Sequence, residues 1–176
     1  MKKLFTIFLI LLLNLGCAQI QRPMVNDEFT PYVKDFELIV NNKQYDYKLQ
    51  NLTILFEDIP STGDGYQTVA YCSMMFTDKP SIYVDRKQYQ YATPMSRQFT
   101  LLHELGHCVC NRFHTENSVG VVGFFENILF KLGLVTKKGF LKDGCPASIM
   151  HPYAFSESCM MTHYFYYIDE YKRGCN

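Results

Sequence analysis

The stretch Thr93-Pro94-Met95-Ser96-Arg97-Gln98-Phe99-Thr100-Leu101-Leu102-His103-Glu104-Leu105-Gly106-His107-Cys108-Val109-Cys110 encodes both a helix and a site. Thr93 is an N-cap residue, and Pro94 suits the first helical position, where a missing N–H removes no bond. The pattern predicts a long helix from Met95 to Cys110, with Leu101, Leu102 and Leu105 as its packing face. Within it, His103-Glu104-Leu105-Gly106-His107 is H-E-x-x-H. Residues four apart lie on one helix face, one turn above another, so both imidazoles can reach a single ion. Glu104 is rotated to one side, where it can touch a water on that ion without ligating it. Zinc lowers the pKa of such a water toward ~7 and polarises a carbonyl, and the carboxylate takes the proton.

A catalytic zinc takes three protein ligands and keeps one position open. His114, seven residues after His107, is the leading candidate for the third. Asn111 precedes His114 by three, and asparagine tolerates the left-handed region, so it is the expected helix stop. Two competitors stand beside His114. Glu126 lies near the spacing at which thermolysin-like enzymes place a glutamate ligand on a following helix. Cys110 falls on the ligand face of the helix, where a thiolate would bind zinc, although an oxidising compartment favours a disulfide there.

Outward from this helix the chain reads as a mixture of helices and short strands, an α+β fold. Phe29, Val33, Phe36 and Val40 recur at helical spacing, with Pro31 near the start and Asn41-Asn42 at the end. Asn51 to Asp58 reads as a strand running into a turn at Ile59 to Gly65, and Gln67 to Phe76 and Ser81 to Arg86 read as further strands, paired or neighbouring. A last helix is expected from about Ser158 to Arg173, with Tyr164, Phe165, Tyr167, Ile168 and Tyr171 as its core stripe. No internal repeat or second domain is apparent.

Between His114 and the last helix lies Ser148-Ile149-Met150-His151-Pro152, which resembles the Met-turn of the metzincins, the turn whose methionine underlies the zinc. Together with H-E-x-x-H and His114, it makes the stretch from about Asn51 to the C-terminus resemble a compact bacterial metzincin, near the matrixin and astacin groups. The metzincin pattern puts the third histidine six residues after the second, and here the distance is one residue longer. The resemblance implies a twisted mixed sheet, an active-site helix, zinc at the floor of a cleft, and a small C-terminal subdomain holding Met150 and the last helix. It also implies that a strand between Tyr71 and Asp85 forms the cleft's upper edge and pairs with an extended peptide. Tyr153 stands near the place where astacin-like and serralysin-like enzymes carry a tyrosine that stabilises the tetrahedral intermediate. His151 reads as a turn residue.

The 176 residues carry 17 acidic and 17 basic side chains, so no charged stripe selects a nucleic acid. Lys2 and Lys3, the apolar run Leu4 to Leu13 and the small residues Gly16, Cys17 and Ala18 read as a signal peptide over residues 1–18, leaving 19–176 as a single metallopeptidase domain. Leu15-Gly16-Cys17 resembles a bacterial lipobox, in which Cys17 becomes lipidated; Gly16-Cys17-Ala18 also fits ordinary cleavage before Gln19. The expected location is therefore the bacterial cell envelope, lipid-anchored at the outer membrane or in the periplasm, or the exterior. The other six cysteines favour disulfides in such a compartment, with 15 pairings open, and Cys108 and Cys110 are expected to take different partners or remain thiols.

These readings converge on a zinc-dependent endopeptidase acting on a peptide or protein substrate. His103, His107 and His114 hold the metal, and Glu104 serves as general base. From another class, a non-catalytic zinc-binding or interaction lipoprotein would keep the site as structure; Glu104 argues against it, since a structural site needs no base. A cysteine peptidase using Cys108 or Cys110 has no recognisable nucleophile context around either residue.

Overall fold

A computed structural model describes residues 24–61, 67–73, 75–114, 140–152 and 156–176. It is an α+β arrangement of a small mixed sheet and several helices. Cys17, Glu126 and Tyr153 lie outside the described residues.

The chain enters through a 3-10 turn capped by Asn26 and continues into α1 (Thr30–Val40), with proline in its first turn. Asn41 closes α1 in the left-handed conformation, φ 47°, a backbone state that asparagine tolerates better than most side chains. A short helix α2 (Asp46–Gln50) leads into β1 (Thr53–Glu57), followed by β2 (Ala70–Cys72) and β3 (Ser81–Asp85). The order is β1-β3-β2, with β1 parallel and β2 antiparallel to β3. Ile54 pairs with Ile82 and Ala70 with Val84, and this period-two alternation buries all four on the core side. The Ile54 N–H donates to the Met24 carbonyl and the Ile54 carbonyl accepts the Asn26 N–H, which covers the outer side of β1, so β2 presents the sheet's other edge.

Only Ala70–Cys72 of the expected strand Gln67 to Phe76 is ladder. Its partner β3 is five residues long, and the chain turns away after Ser73 to reach Phe76, whose φ of 64° is incompatible with a strand. The same length limit ends β3 at Asp85, whose carboxylate caps the following helix α3 (Arg86–Tyr91) through the Gln88 N–H.

The helix α4 (Pro94–Cys108) starts as the sequence predicts, with the Thr93 hydroxyl accepting the Ser96 N–H. Leu101, Leu102 and Leu105 are fully buried between the sheet on one side and α1 on the other. The C-terminal segment is two helices, α5 (Glu157–Thr162) and α6 (Tyr164–Gly174), rather than one. The break falls at His163, which leaves helical geometry while its ring bonds Asp143 at 2.5 Å. In α6, Tyr164, Tyr167, Ile168 and Tyr171 share one face, and Tyr167 and Tyr171 are completely buried. Phe165 is 86% exposed, contrary to the expected stripe, because it lies two residues from Tyr167 and so off that face. Tyr171 Oη donates to the Leu102 carbonyl at 2.6 Å, fastening α6 to the middle of α4.

Three disulfides are present: Cys72–Cys108, Cys110–Cys175 and Cys145–Cys159. They suit an oxidising, extracellular-type environment, and among the described residues no helix is long and apolar enough to cross a membrane. Cys72–Cys108 ties the edge strand to the end of α4, and Cys110–Cys175 ties the residues after α4 to the end of α6. Replacing Cys72 and Cys108 together by alanine should lower stability by about 4 kcal/mol, the entropy cost of the freed loop. Urea unfolding of the double variant under non-reducing conditions measures it.

Candidate metal centre

Three histidines converge from two segments. His103 and His107 project one turn apart from α4, and His114 returns to them from beyond the helix. His103 Nε2 lies 3.0 Å from His107 Nε2 and 3.1 Å from His114 Nε2, and the third side of the triangle is 3.1 Å. The return depends on how α4 ends. Val109 makes the last regular helical bond, to Leu105. The Cys110 N–H then reaches back five residues to the same carbonyl, and the Arg112 N–H reaches back six, to Gly106. Such a closing turn is wider than the usual helix cap, in which the longest bond spans five residues. Asn111 sits at φ 57°, as expected of the helix stop, and the widened turn accommodates the seven-residue spacing to His114. Lys48 stabilises this end by donating to the Val109 carbonyl and the Asn111 side chain at 3.1 and 3.0 Å.

The tautomers follow from the partners. His103 Nδ1 is 2.7 Å from the Ile149 carbonyl, and His107 Nδ1 is 2.6 Å from the Arg112 carbonyl. A carbonyl only accepts, so each Nδ1 carries the proton and each Nε2 turns a lone pair inward. Burial lowers the His103 pKa to about 3 and also lowers that of His107, holding both rings neutral. Facing lone pairs at about 3 Å repel, and one shared proton could bridge only one side of the triangle. A cation bound to all three nitrogens relieves the repulsion at once, with metal–nitrogen bonds of ~2.0–2.1 Å spanning this separation. The three rings therefore fit a metal ion, and they form one group able to hold one. Asp143, Cys145 and His163 also lie close together, but the Cys145 sulfur is committed to Cys159.

Glu104 is buried beside the triad, and burial raises its carboxyl pKa to about 8 against the opposing hydrogen bond from the Cys72 N–H. A cation in the triad would draw it back toward the carboxylate. A cavity of about 1040 Å³ opens over the three rings, with Glu104 in its wall. The edge strand β2 lines one side, and Phe99, Ile149 and Met160 line another. Among the described residues lining it, Glu104 is the sole acidic group.

Cys110 is not a ligand: its sulfur is bonded to Cys175, which removes the thiolate that metal binding needs. The same correction applies to Cys108 and Cys110 as nucleophiles, since both are in disulfides. Ser148 to His151 forms a tight turn, closed by the His151 N–H bonding to the Ser148 carbonyl at 3.2 Å. His151 is a buried member of that turn, edge-on to Phe140. Met150 is fully buried against α4, and a Cβ added at Gly106 would lie 2.6 Å from its Sδ. This explains the glycine between Leu105 and His107. Gly106→Ala gains ~1 kcal/mol of helix propensity but overpacks Met150 and Tyr171 at a cost of ~1–3 kcal/mol. The variant should melt several degrees lower; a higher Tm would mean that Met150 yields freely.

Sequence reasoning missed the groups that orient the rings: the Ile149 and Arg112 carbonyls, and Glu170 behind them. The Glu170 carboxylate pairs with the Arg112 guanidinium and accepts from the Ser148 hydroxyl at 3.0 Å and the Ile149 N–H at 3.4 Å. Nothing in the sequence set Glu170 apart from the neighbouring Asp169 in the same helix.

No family model matches the chain, and neither do curated proteins or solved structures. The described residues define a group of three histidines that could hold a metal ion, beside a buried carboxylate at the wall of an open cavity.

Proposed function

We propose that the protein is an exported zinc-dependent endopeptidase of metzincin type. The observation that carries this reading is the triangle of ring nitrogens, 3.0–3.1 Å on a side, with Glu104 beside it in the cavity wall. Further support comes from Met150 packed beneath Gly106, as a Met-turn would be, and from the wide closing turn that accommodates the spacing to His114. An all-nitrogen set of three imidazoles suits zinc. When bound, zinc would polarise a carbonyl and acidify a water at its open position.

The chain's own residues supply the rest. Glu104 takes the proton from the attacking water and passes it to the leaving amine. Burial keeps its carboxyl poised for both transfers. The edge strand β2 offers backbone groups along the cavity to an extended peptide, the arrangement β-augmentation requires. A proline at Ala70, whose N–H faces away from β3, should therefore raise KM more than it lowers kcat. The disulfides suit the exported setting, with a signal peptide over residues 1–18 and lipidation at Cys17 as its proposed basis.

Purified zinc-loaded protein should cleave casein, lose that activity to a chelator and regain it with zinc. A zinc-loaded protein that turns over no peptide would favour a metal-binding lipoprotein that keeps the site as structure.

A further inference from the structure

We infer that Glu170 is a positioning residue for the metal site, fixing two ligand rings at once from α6. This rests on reading the three histidines as a metal centre, and it does not require that the centre be catalytic. His103 and His107 each owe their ring orientation to a backbone carbonyl, and those carbonyls lie on separate segments, in the turn at Ile149 and in the loop at Arg112. Neither segment is regular structure that would hold a carbonyl in place by itself. Glu170, on α6, binds both. One carboxylate oxygen takes the Arg112 guanidinium and the Ser148 hydroxyl, and the other takes the Ile149 N–H.

The carboxylate thus stands one residue's backbone away from the hydrogen bond to His103, and one arginine side chain away from the hydrogen bond to His107. Arg112 and Glu170 are largely shielded, with side chains 12% and 19% exposed, so the pair is not a solvent-screened surface contact. The fold makes room for it. A Cβ at Gly174 would lie 2.5 Å from Arg112 Cζ, so the guanidinium passes over bare backbone. The Ser148 hydroxyl also accepts the Met150 N–H at 3.0 Å, linking the same carboxylate to the turn under the site. Groups that orient ligating histidines typically change metal affinity by about 10–100-fold when removed.

The test measures zinc dissociation constants by competition with a chromophoric chelator, and cobalt(II) absorption spectra, for the full chain and its variants. Glu170→Ala should weaken zinc binding at least tenfold and alter the cobalt spectrum at temperatures far below its Tm. Glu170→Gln keeps one acceptor oxygen where the carboxylate has two and loses the charge facing Arg112, and it should fall between Glu170→Ala and the parent. Tyr167→Phe is the control on the same helix: it loses a buried bond to the Pro146 carbonyl and should lower Tm while leaving zinc affinity unchanged. If Glu170→Ala does not fold, Glu170→Gln decides. Folded variants binding zinc within twofold of the parent, with an unchanged cobalt spectrum, would overturn the inference. A parent that binds no zinc would overturn it together with the metal centre. A parent that binds zinc but cleaves no casein would sink only the peptidase reading, because the affinity comparison decides this inference without turnover.

Discussion

Glu104→Ala should abolish peptide hydrolysis while leaving the zinc content of the purified protein unchanged. Glu104 contributes no nitrogen to the triangle of His103, His107 and His114, and each ring of α4 keeps its own carbonyl partner when the carboxylate is removed. What disappears is the sole acidic group among the described residues lining the cavity, and with it the acceptor for the proton of the attacking water. A positioned general base contributes roughly 10²–10⁴-fold, so kcat should fall by about that factor. Glu104→Gln is the sharper version, since the amide fills the same volume without the basicity of the carboxylate. Both variants should be inert and zinc-replete. A Glu104→Ala protein cleaving casein at the parental rate would remove Glu104 from the chemistry.

His114→Ala should cost the metal itself. Two histidines on one helix can hold zinc, but with one nitrogen fewer the site loses the vertex supplied from beyond the helix. Binding should weaken by several kcal/mol, since structural zinc in small domains is worth ~10–16 kcal/mol over three or four ligands. Activity should vanish in parallel, and excess zinc should restore little of it. Glu126→Ala should bind zinc as the parent does, because His114 already completes the triangle. Equilibrium dialysis of the two variants separates these outcomes. Zinc loss in Glu126→Ala with full retention in His114→Ala would transfer the third ligand to Glu126.

The parts of the site governed by short-range geometry were legible in the sequence. The Thr93 cap, Pro94 and the four-residue spacing of His103 and His107 are local features, and they fix α4 and the direction of both rings. Asn111 was legible for the same reason: its side chain tolerates the backbone state that ends the helix. Disulfide pairing was not legible, because Cys72 meets Cys108 and Cys110 meets Cys175 only once the edge strand and α6 are folded against α4. Cys110 lay on the ligand face by spacing, and only its tertiary partner shows that its sulfur is occupied. Phe165 went astray because aromatic density was read without the helical angle that separates it from Tyr167. Glu170 was invisible because each of its partners is distant in sequence and two of its contacts serve the turn at Ser148 and Ile149.

The same contrast explains the one-residue excess before His114. Counted along the chain it departs from the pattern that H-E-x-x-H and Met150 suggest. In space it is taken up by two long backbone bonds, from Cys110 to Leu105 and from Arg112 to Gly106, which widen the turn and still bring the third ring to 3.1 Å from the other two. Lys48 supports that turn from α2 and the Cys110–Cys175 bridge anchors it to the end of α6, so its shape is held from two sides.

The central claim is that His103, His107 and His114 together bind zinc through Nε2. An anomalous-difference map collected above and below the zinc edge, from crystals of protein purified without added metal, tests it most directly. The account predicts one strong peak within bonding distance of all three Nε2 atoms, and none at Asp143 and His163. A peak ligated by Glu126 in place of His114, or three histidine nitrogens with no zinc signal between them, would contradict it.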